Sequence, residues 1–139
     1  VKYFVNESYN SGMSAIGLEY QVLDDAKHPD AKLGTVGNRT LASLYDIIPS
    51  NKIDGRFQKK IGEWNQGRII VYPNNIVQHW LNGFKVIEYE RKSNIFKVLV
   101  AHSKHKVWDG FGMQDSGPIL FQEHGDSVFY KNIKIREIK

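Results

Sequence analysis

The feature that most constrains the fold is a succession of short runs of β-branched and aromatic residues, each ended by Gly, Asn, Asp or Pro. The clearest case is Asn82-Gly83, which separates the run 76–81 from the run 84–89. A type I′ turn needs positive φ at both central positions, and Asn-Gly adopts that conformation readily. Short runs bounded by turn residues are typical of strands. The sequence therefore predicts a mainly antiparallel β protein.

The same reading extends along the chain. We predict strands at 1–5, 16–24, 40–48, 67–72, 76–81, 84–89, 119–123 and 128–138. The run 94–103 has apolar residues at helical spacing and predicts one short helix. The alternation of the last strand is imperfect, which predicts a bulge near Lys131. About eight strands with almost no helix favour an antiparallel β-sandwich.

Length and charge narrow the range of functions. A chain of 139 residues predicts a single domain over residues 1–139. No apolar run approaches the roughly 20 residues of a membrane-spanning helix. There are no cysteines, so thiolate metal sites and cysteine nucleophiles are excluded. The net charge of +4 comes from basic residues that are mostly interspersed with acidic ones, so we expect a basic surface without a nucleic-acid partner.

Two polar residues share one face of the predicted strand 16–24. Glu19 and Gln21 alternate with Leu18 and Tyr20. A carboxylate beside an amide is suited to binding sugar hydroxyls, and the carboxylate is suited to act as a base or metal ligand. A solvated outer face fits the pattern equally well. Asp24 ends the strand, where turn formation is the simpler interpretation.

Two histidines and a tryptophan are the other candidates. His79 shares parity with apolar residues, which favours a hydrogen-bonded core histidine over a catalytic one. Trp80 offers a flat face to a pyranose ring, although such a residue is more often part of the core. Gln122 and His124 share parity at the end of a predicted strand. Strand ends on a rigid scaffold favour function, and a polar turn is the alternative there.

Five segments, taken together and in order, resemble the 3-keto-disaccharide hydrolase domain family. They are GLEYQVLDD (17–25), NRTLASLYDIIP (38–49), GEWNQGRIIV (62–71), HWLNGFKVIEYE (79–90) and ILFQEHGDSVFYKNIKIRE (119–137). The resemblance covers nearly the whole chain. It implies a concanavalin A-like lectin/glucanase sandwich of jelly-roll type, with one concave face. It also implies a sugar substrate that carries a ketone at ring carbon 3, and a secreted, periplasmic or cell-surface location.

The resemblance also assigns roles to residues. It implies catalytic roles for Glu19, His79 and His124. It implies substrate-binding roles for Gln21, Asp24, Tyr45 and Gln122. No cofactor is required by the sequence, but a divalent cation would suit the histidine and carboxylate side chains.

The chain departs from the family pattern in a few places. The FNGKDLSGW-like and WxVxDG-like segments with which the family usually opens are absent, and residue 1 is Val with no signal peptide before it. We therefore expect a domain truncated at its amino terminus, with an open sheet edge available for pairing with a second copy. Glu123 stands where the family usually has Asp, and Lys131 stands where Arg is common.

The chemistry of a 3-keto sugar suggests a mechanism. The ketone acidifies the hydrogen on carbon 2, so a base can form an enolate that expels the aglycone from carbon 1, after which water adds. This route needs one base and a stabiliser for the enolate oxygen, not the paired carboxylates of ordinary glycosidases. The alternatives are a non-catalytic carbohydrate-binding module that uses the same face, and an adhesion domain that uses the basic loop 104–106.

Overall fold

A computed structural model describes residues 1–10, 15–52, 57–123 and 125–138, and its regular structure is mostly antiparallel sheet. The first sheet pairs β1 (Lys2–Asn10) with β2 (Ala15–Glu19). The second contains β3 (Gly67–Val71), β4 (Ile76–Leu81) and β5 (Phe84–Glu90) in that order. The helix α1 (Asn94–Ala101) follows, and short 3₁₀ helices cover Pro29–Lys32 and Lys104–Val107. The predicted antiparallel, β-rich character is therefore confirmed.

The hairpin between β4 and β5 forms at the predicted dipeptide. Asn82 and Gly83 have φ values of 49° and 87°, and Leu81 pairs with Phe84 across the turn. The predicted helix also forms, and it ends two residues earlier than expected. Ser93 caps its amino terminus by accepting a hydrogen bond from the backbone N–H of Phe96, as N-cap serines do.

The prediction of a strand at 40–48 is wrong. This segment is a series of turns in which Ala42 and Asp46 have positive φ values of 65° and 63°. Its sheet-like contacts are isolated bridges from Leu44 to Tyr20 and to Ile48. All residues from 41 to 47 are buried whatever their parity. The segment lies in the interior, so residues of both parities are buried and its sequence does not alternate strictly between apolar and polar residues.

The two predicted closing strands are also absent from the described residues. Leu120 forms one antiparallel bridge with Lys2, with N–O distances of 2.8 and 2.9 Å. The described part of 128–138 contains no strand, so the bulge predicted near Lys131 does not occur. Side chains such as Ile135, which is 80% exposed, alternate as in a strand but cover no core. An alternating sequence pattern does not by itself form a strand, because a strand also needs a neighbouring backbone with which to pair.

Both sheets and the helix contribute to one core. Leu18 of β2, Val77 of β4, Ile87 of β5 and Phe96 of α1 are buried in the same hydrophobic cluster. The two sheets therefore turn one face each toward this cluster. On β2, the Glu19 side chain has the opposite parity to Leu18 and points away from this cluster, and the candidate site forms around it.

Candidate functional site

The site is centred on the carboxylate of Glu19, the last residue of β2. Lys2 pairs with Glu19 on one side and bridges to Leu120 on the other, so the segment near 120 lies two backbones away from β2. This arrangement brings Gln122 to Glu19, and the Gln122 Nε2 donates to Glu19 Oε1 at 3.2 Å. Glu19 is only 7% exposed. Two predicted site residues separated by 103 positions are thus in direct contact.

Tyr45 joins this group through its backbone and its ring. Its N–H donates to the carbonyl oxygen of Glu19 at 3.0 Å. Burial raises the pKa of the Tyr45 phenol, and the hydrogen bond to Asp30 raises it further. The phenol is therefore a neutral hydrogen-bonding group at physiological pH.

Lys104 supplies a cation that the sequence did not single out as a site residue. Its Nζ lies 4.0 Å from the centre of the Tyr45 ring, within cation–π range. Residue 104 is exposed, but its ammonium group is partly desolvated against the ring, and this lowers its pKa. The negative charge of Glu19 opposes that shift. The site therefore combines a carboxylate with an ammonium group.

A network of charged side chains fixes Tyr45 and Lys104 in place. Arg39 donates to Asp30 at 2.8 Å and to Asp46 at 2.6 Å. The second oxygen of Asp46 accepts from the backbone N–H of Lys104 at 2.7 Å. Burial raises the pKa of Asp30, but hydrogen bonds from Tyr45 and Arg39 outweigh it and leave that pKa lowered.

The sequence alone does not reveal this network. Asp30, Arg39 and Asp46 read as ordinary loop residues, and Lys104 stood in a basic cluster that looked like solvated surface. Single-sequence patterns carry no information on contacts between residues far apart in the chain. A signal that was available is the cluster's position directly after the amphipathic run 94–103, which places it where a packed helix ends.

The structure places His79 away from this group, inside the core. It has no exposed surface, and its ring nitrogens lie 2.7 Å from the Tyr3 hydroxyl and 3.0 Å from the carbonyl oxygen of Ala42. Burial lowers its pKa to about 4. This geometry supports a structural role for His79, not the predicted catalytic one.

The remaining predicted residues have separate positions. Gln21 is 9% exposed, and its Oε1 accepts from the backbone N–H of Val22 at 3.2 Å. Asp24 closes a turn by accepting from the N–H groups of Ala26 and Lys27 at 2.9 and 3.2 Å. His124 lies outside the described residues.

Within the part of the chain that the structure describes, the surroundings of Glu19 do not form a site for a divalent cation. Its described neighbours include the ammonium groups of Lys2 and Lys104, whose positive charge opposes a cation, and the amide of Gln122, which turns its N–H donor toward Glu19. No group of three histidine or acidic side chains within the described ranges is arranged to hold a metal ion. We therefore derive no step that passes through a metal.

The site lies on the face of the first sheet that carries Lys2 and Glu19, each of which is only 7% exposed. Two clefts of about 530 and 460 Å³ lie elsewhere, and neither is lined by Glu19. Among the helices that the structure describes, none has the length and hydropathy needed to cross a bilayer.

Comparison with solved structures shows a fold that agrees with this architecture. The structure is similar to the crystal structure of a protein described as a putative glycosyl hydrolase from Parabacteroides distasonis, with a TM-score of 0.60 and 23% sequence identity. The match covers 73% of this chain and 46% of that one. At this identity the likeness establishes a shared fold.

The family itself follows from the sequence comparisons. Residues 1–136 match the model of the 3-keto-alpha-glucoside-1,2-lyase-like domain, and the chain belongs to this family. It is 39% identical over 128 residues to a 3-keto-disaccharide hydrolase of Bacteroides thetaiotaomicron. That alignment covers 85% of this chain and 43% of the relative, so the chain spans less than half of the relative's length. The resemblance found in the sequence is confirmed.

Proposed function

We propose that this chain carries the catalytic face of an enzyme that cleaves glycosides oxidised to a ketone at ring carbon 3. The observation that carries the proposal is the contact between Glu19 and Gln122, next to Tyr45 and Lys104. A buried carboxylate close to an ammonium group supplies the two functions that an enolate mechanism needs. The family and the hydrolase relative support the choice of substrate.

Glu19 is the proposed base. It takes the proton from carbon 2, and the electron pair of the broken C–H bond forms the enolate with carbon 3. Collapse of the enolate breaks the bond between carbon 1 and the aglycone oxygen, which takes up a proton as it leaves. Water then adds its hydroxyl to carbon 1, and Glu19 returns a proton to carbon 2. The net reaction is hydrolysis.

Lys104 is the proposed stabiliser of the enolate oxygen. Its ammonium group is held beside the Tyr45 ring, and the backbone of residue 104 is tied to Asp46. A fixed positive charge in a partly desolvated site stabilises developing negative charge without having to reorganise. Tyr45 and Gln122 provide hydrogen-bonding groups for the ring hydroxyls.

The other sequence-based assignments are kept as parts of this proposal where the geometry permits. His124 is the proposed proton donor to the aglycone oxygen, and Gln21 and Asp24 are proposed to contact the sugar. We give His79 no catalytic step because it is enclosed in the core. The jelly-roll sandwich, the secreted or periplasmic location and pairing through an open sheet edge remain predictions from the resemblance.

The test is turnover of a 3-keto-glucoside in D₂O by the protein and by two Glu→Gln variants. The wild-type product should carry deuterium at carbon 2, because the Glu19 carboxyl exchanges its proton with solvent before returning one to the sugar. An enzyme-free sample corrects for spontaneous exchange. Glu19→Gln should lower kcat by about a hundredfold or more. Glu7→Gln, the same change at an exposed position of β1, should leave the rate unchanged.

Two results would contradict the proposal. A product without deuterium at carbon 2, combined with no primary isotope effect on turnover of substrate deuterated at carbon 2, would rule out the enolate route. Near-wild-type rates for Glu19→Gln would remove the proposed base. A protein that binds the sugar and releases it unchanged would instead be the non-catalytic carbohydrate-binding module.

A further inference from the structure

The outer face of the β3–β5 sheet carries an aromatic ring among polar side chains. Along β4, the buried residues Val77, His79 and Leu81 alternate with Gln78 and Trp80. Gln78 and Trp80 are half-buried and lie on the side of the sheet that faces away from the core. The mechanism proposed above uses neither of them.

A chain of hydrogen bonds joins these side chains of β4 to side chains of β5. The Trp80 Nε1–H donates to Gln78 Oε1 at 2.9 Å, and Gln78 Nε2 donates to Glu88 Oε2 at 2.7 Å. Lys85 Nζ donates to the same Glu88 oxygen, also at 2.7 Å. The indole is therefore locked in orientation by its neighbours, which reduces the conformational entropy lost when a ligand binds.

Arg68 completes the group from the third strand. It pairs with Trp80 in the register of β3 and β4, and its Cζ lies 5.9 Å from the centre of the Trp80 ring. Arg68 is exposed, and among the described residues its guanidinium makes no hydrogen bond or ion pair. It offers five N–H donors to a ligand.

We propose that this surface, the Trp80 face (Arg68, Gln78, Trp80, Lys85 and Glu88), binds a neutral glycan. The C–H face of a pyranose ring packs on the indole, and its hydroxyls bond to the Arg68 guanidinium and the Glu88 carboxylate. A flat amphipathic ring with directed hydrogen-bonding groups around it suits a ligand that has one apolar and several polar sides.

The charges on this face favour a neutral ligand. Arg68 and Lys85 are balanced by Glu88 and by Glu90, an exposed residue that shares the parity of Glu88 on β5. The surface therefore has no excess of positive charge that would attract an anionic polymer.

The Trp80 face is separate from the Glu19 site. Glu19 is on the outer face of the first sheet and Trp80 on the outer face of the second, while inner residues of both sheets pack in one core. Binding at Trp80 thus does not depend on the proposed reaction. Its consequence is that the protein can hold unoxidised polysaccharide while the Glu19 site acts on other sugar units.

The test is a titration of the ¹⁵N-labelled protein with four neutral trisaccharides: maltotriose, cellotriose, laminaritriose and mannotriose. At least one should shift the indole N–H signal of Trp80 with a Kd of about 1 mM, while the signals of Trp64 and Trp108 stay in place. Trp80→Ala should weaken binding by about tenfold or more. Trp64→Ala, which removes an indole that is 48% exposed elsewhere, should not.

Arg68→Ala is a second binding variant that tests the proposal even if Trp80→Ala fails to fold. It should fold normally, because Arg68 is exposed and its loss leaves no buried group unpaired. It should weaken binding severalfold. Failure of all four sugars to move the Trp80 signal, or equal losses in Trp64→Ala and Trp80→Ala, would overturn the proposal. Glu19→Gln should keep full trisaccharide binding, so this test and the turnover test fail independently.

Discussion

At the scale of single residues, His79 shows how the interior fixes one protonation state. The carbonyl oxygen of Ala42 can only accept, so Nδ1 carries the proton and Nε2 accepts from the Tyr3 hydroxyl. The Tyr3 oxygen in turn accepts from the Tyr89 hydroxyl, at 2.9 Å. Burial lowers the pKa of His79 to about 4, so the imidazole is neutral near pH 7 and the hydrogen bonds run in this direction.

The lowered pKa predicts a specific loss of stability in acid. As the pH falls below 6.5, the unfolded chain takes up a proton at His79 and the folded chain does not, until the pH reaches about 4. The free energy of unfolding should therefore fall by about 3 kcal/mol across this range. Urea denaturation between pH 4 and 7.5 measures the effect.

Variants of single histidines distinguish the contribution of His79 to the pH dependence from that of the other histidines. His105, stacked on Phe111 and also with a pKa lowered to about 4, should add a similar decline. His79→Leu should thus lower stability at pH 7 and remove about half of the pH dependence. His102→Leu, the same change at an exposed histidine, serves as the control variant. An unchanged slope in His79→Leu would show that His79 is not the titrating group.

At the scale of secondary-structure elements, the β4–β5 hairpin depends on the backbone conformation of two residues. Gly83 has φ of 87°, and a Cβ added there would meet no atom within 4 Å. The Asn82 side chain also accepts from the Gln66 N–H at 2.7 Å, which ties the turn to the residue before β3. The cost of replacing Gly83 therefore comes from the positive φ and not from a clash.

Gly83→Ala should accordingly destabilise the protein by about 1 kcal/mol. Gly83→Asn should cost less, because asparagine tolerates the left-handed region better than alanine does. The midpoint of urea unfolding gives both values. Equal stability of the alanine variant and the wild type would mean that the turn relaxes into another type.

At the scale of the whole molecule, the Arg39 network connects distant parts of the chain. Arg39 links Asp30 to Asp46, and Asp46 holds the backbone of Lys104, which is 58 positions further along. The loops after β2 and the segment after α1 are thereby joined next to Glu19. The Arg39 and Asp46 side chains are only 18% and 8% exposed.

Arg39→Leu should destabilise the protein by about 2 kcal/mol or more, because it leaves two partly buried carboxylates without their cation. Lys85→Met breaks the ion pair between Lys85 and Glu88, two side chains that are 42% and 46% exposed, and should cost much less than Arg39→Leu. Thermal unfolding of both variants provides the comparison. Similar losses in the two would indicate that the Arg39 network adds no more than a surface ion pair.

The sequence alone determined the features that depend on neighbouring residues and on membership of the family. Asn82-Gly83 specified a hairpin and Ser93 began a helix, because turn geometry and capping are decided within a few residues. The alternation around Glu19 placed this carboxylate and Leu18 on opposite faces of one strand, although the burial of Glu19 came from tertiary packing. Five linked segments were sufficient to identify the family, which the comparisons confirmed.

Only the tertiary structure decided which side chains meet. The pairing of Glu19 with Gln122 and the position of Lys104 over Tyr45 depend on how distant segments pack. The same packing turned the predicted strand at 40–48 into buried turns and enclosed His79 in the core. Local propensity sets which conformations each segment favours. The environment of a side chain, however, is set by residues far away in the sequence, and the pattern within one segment carries no information about those residues.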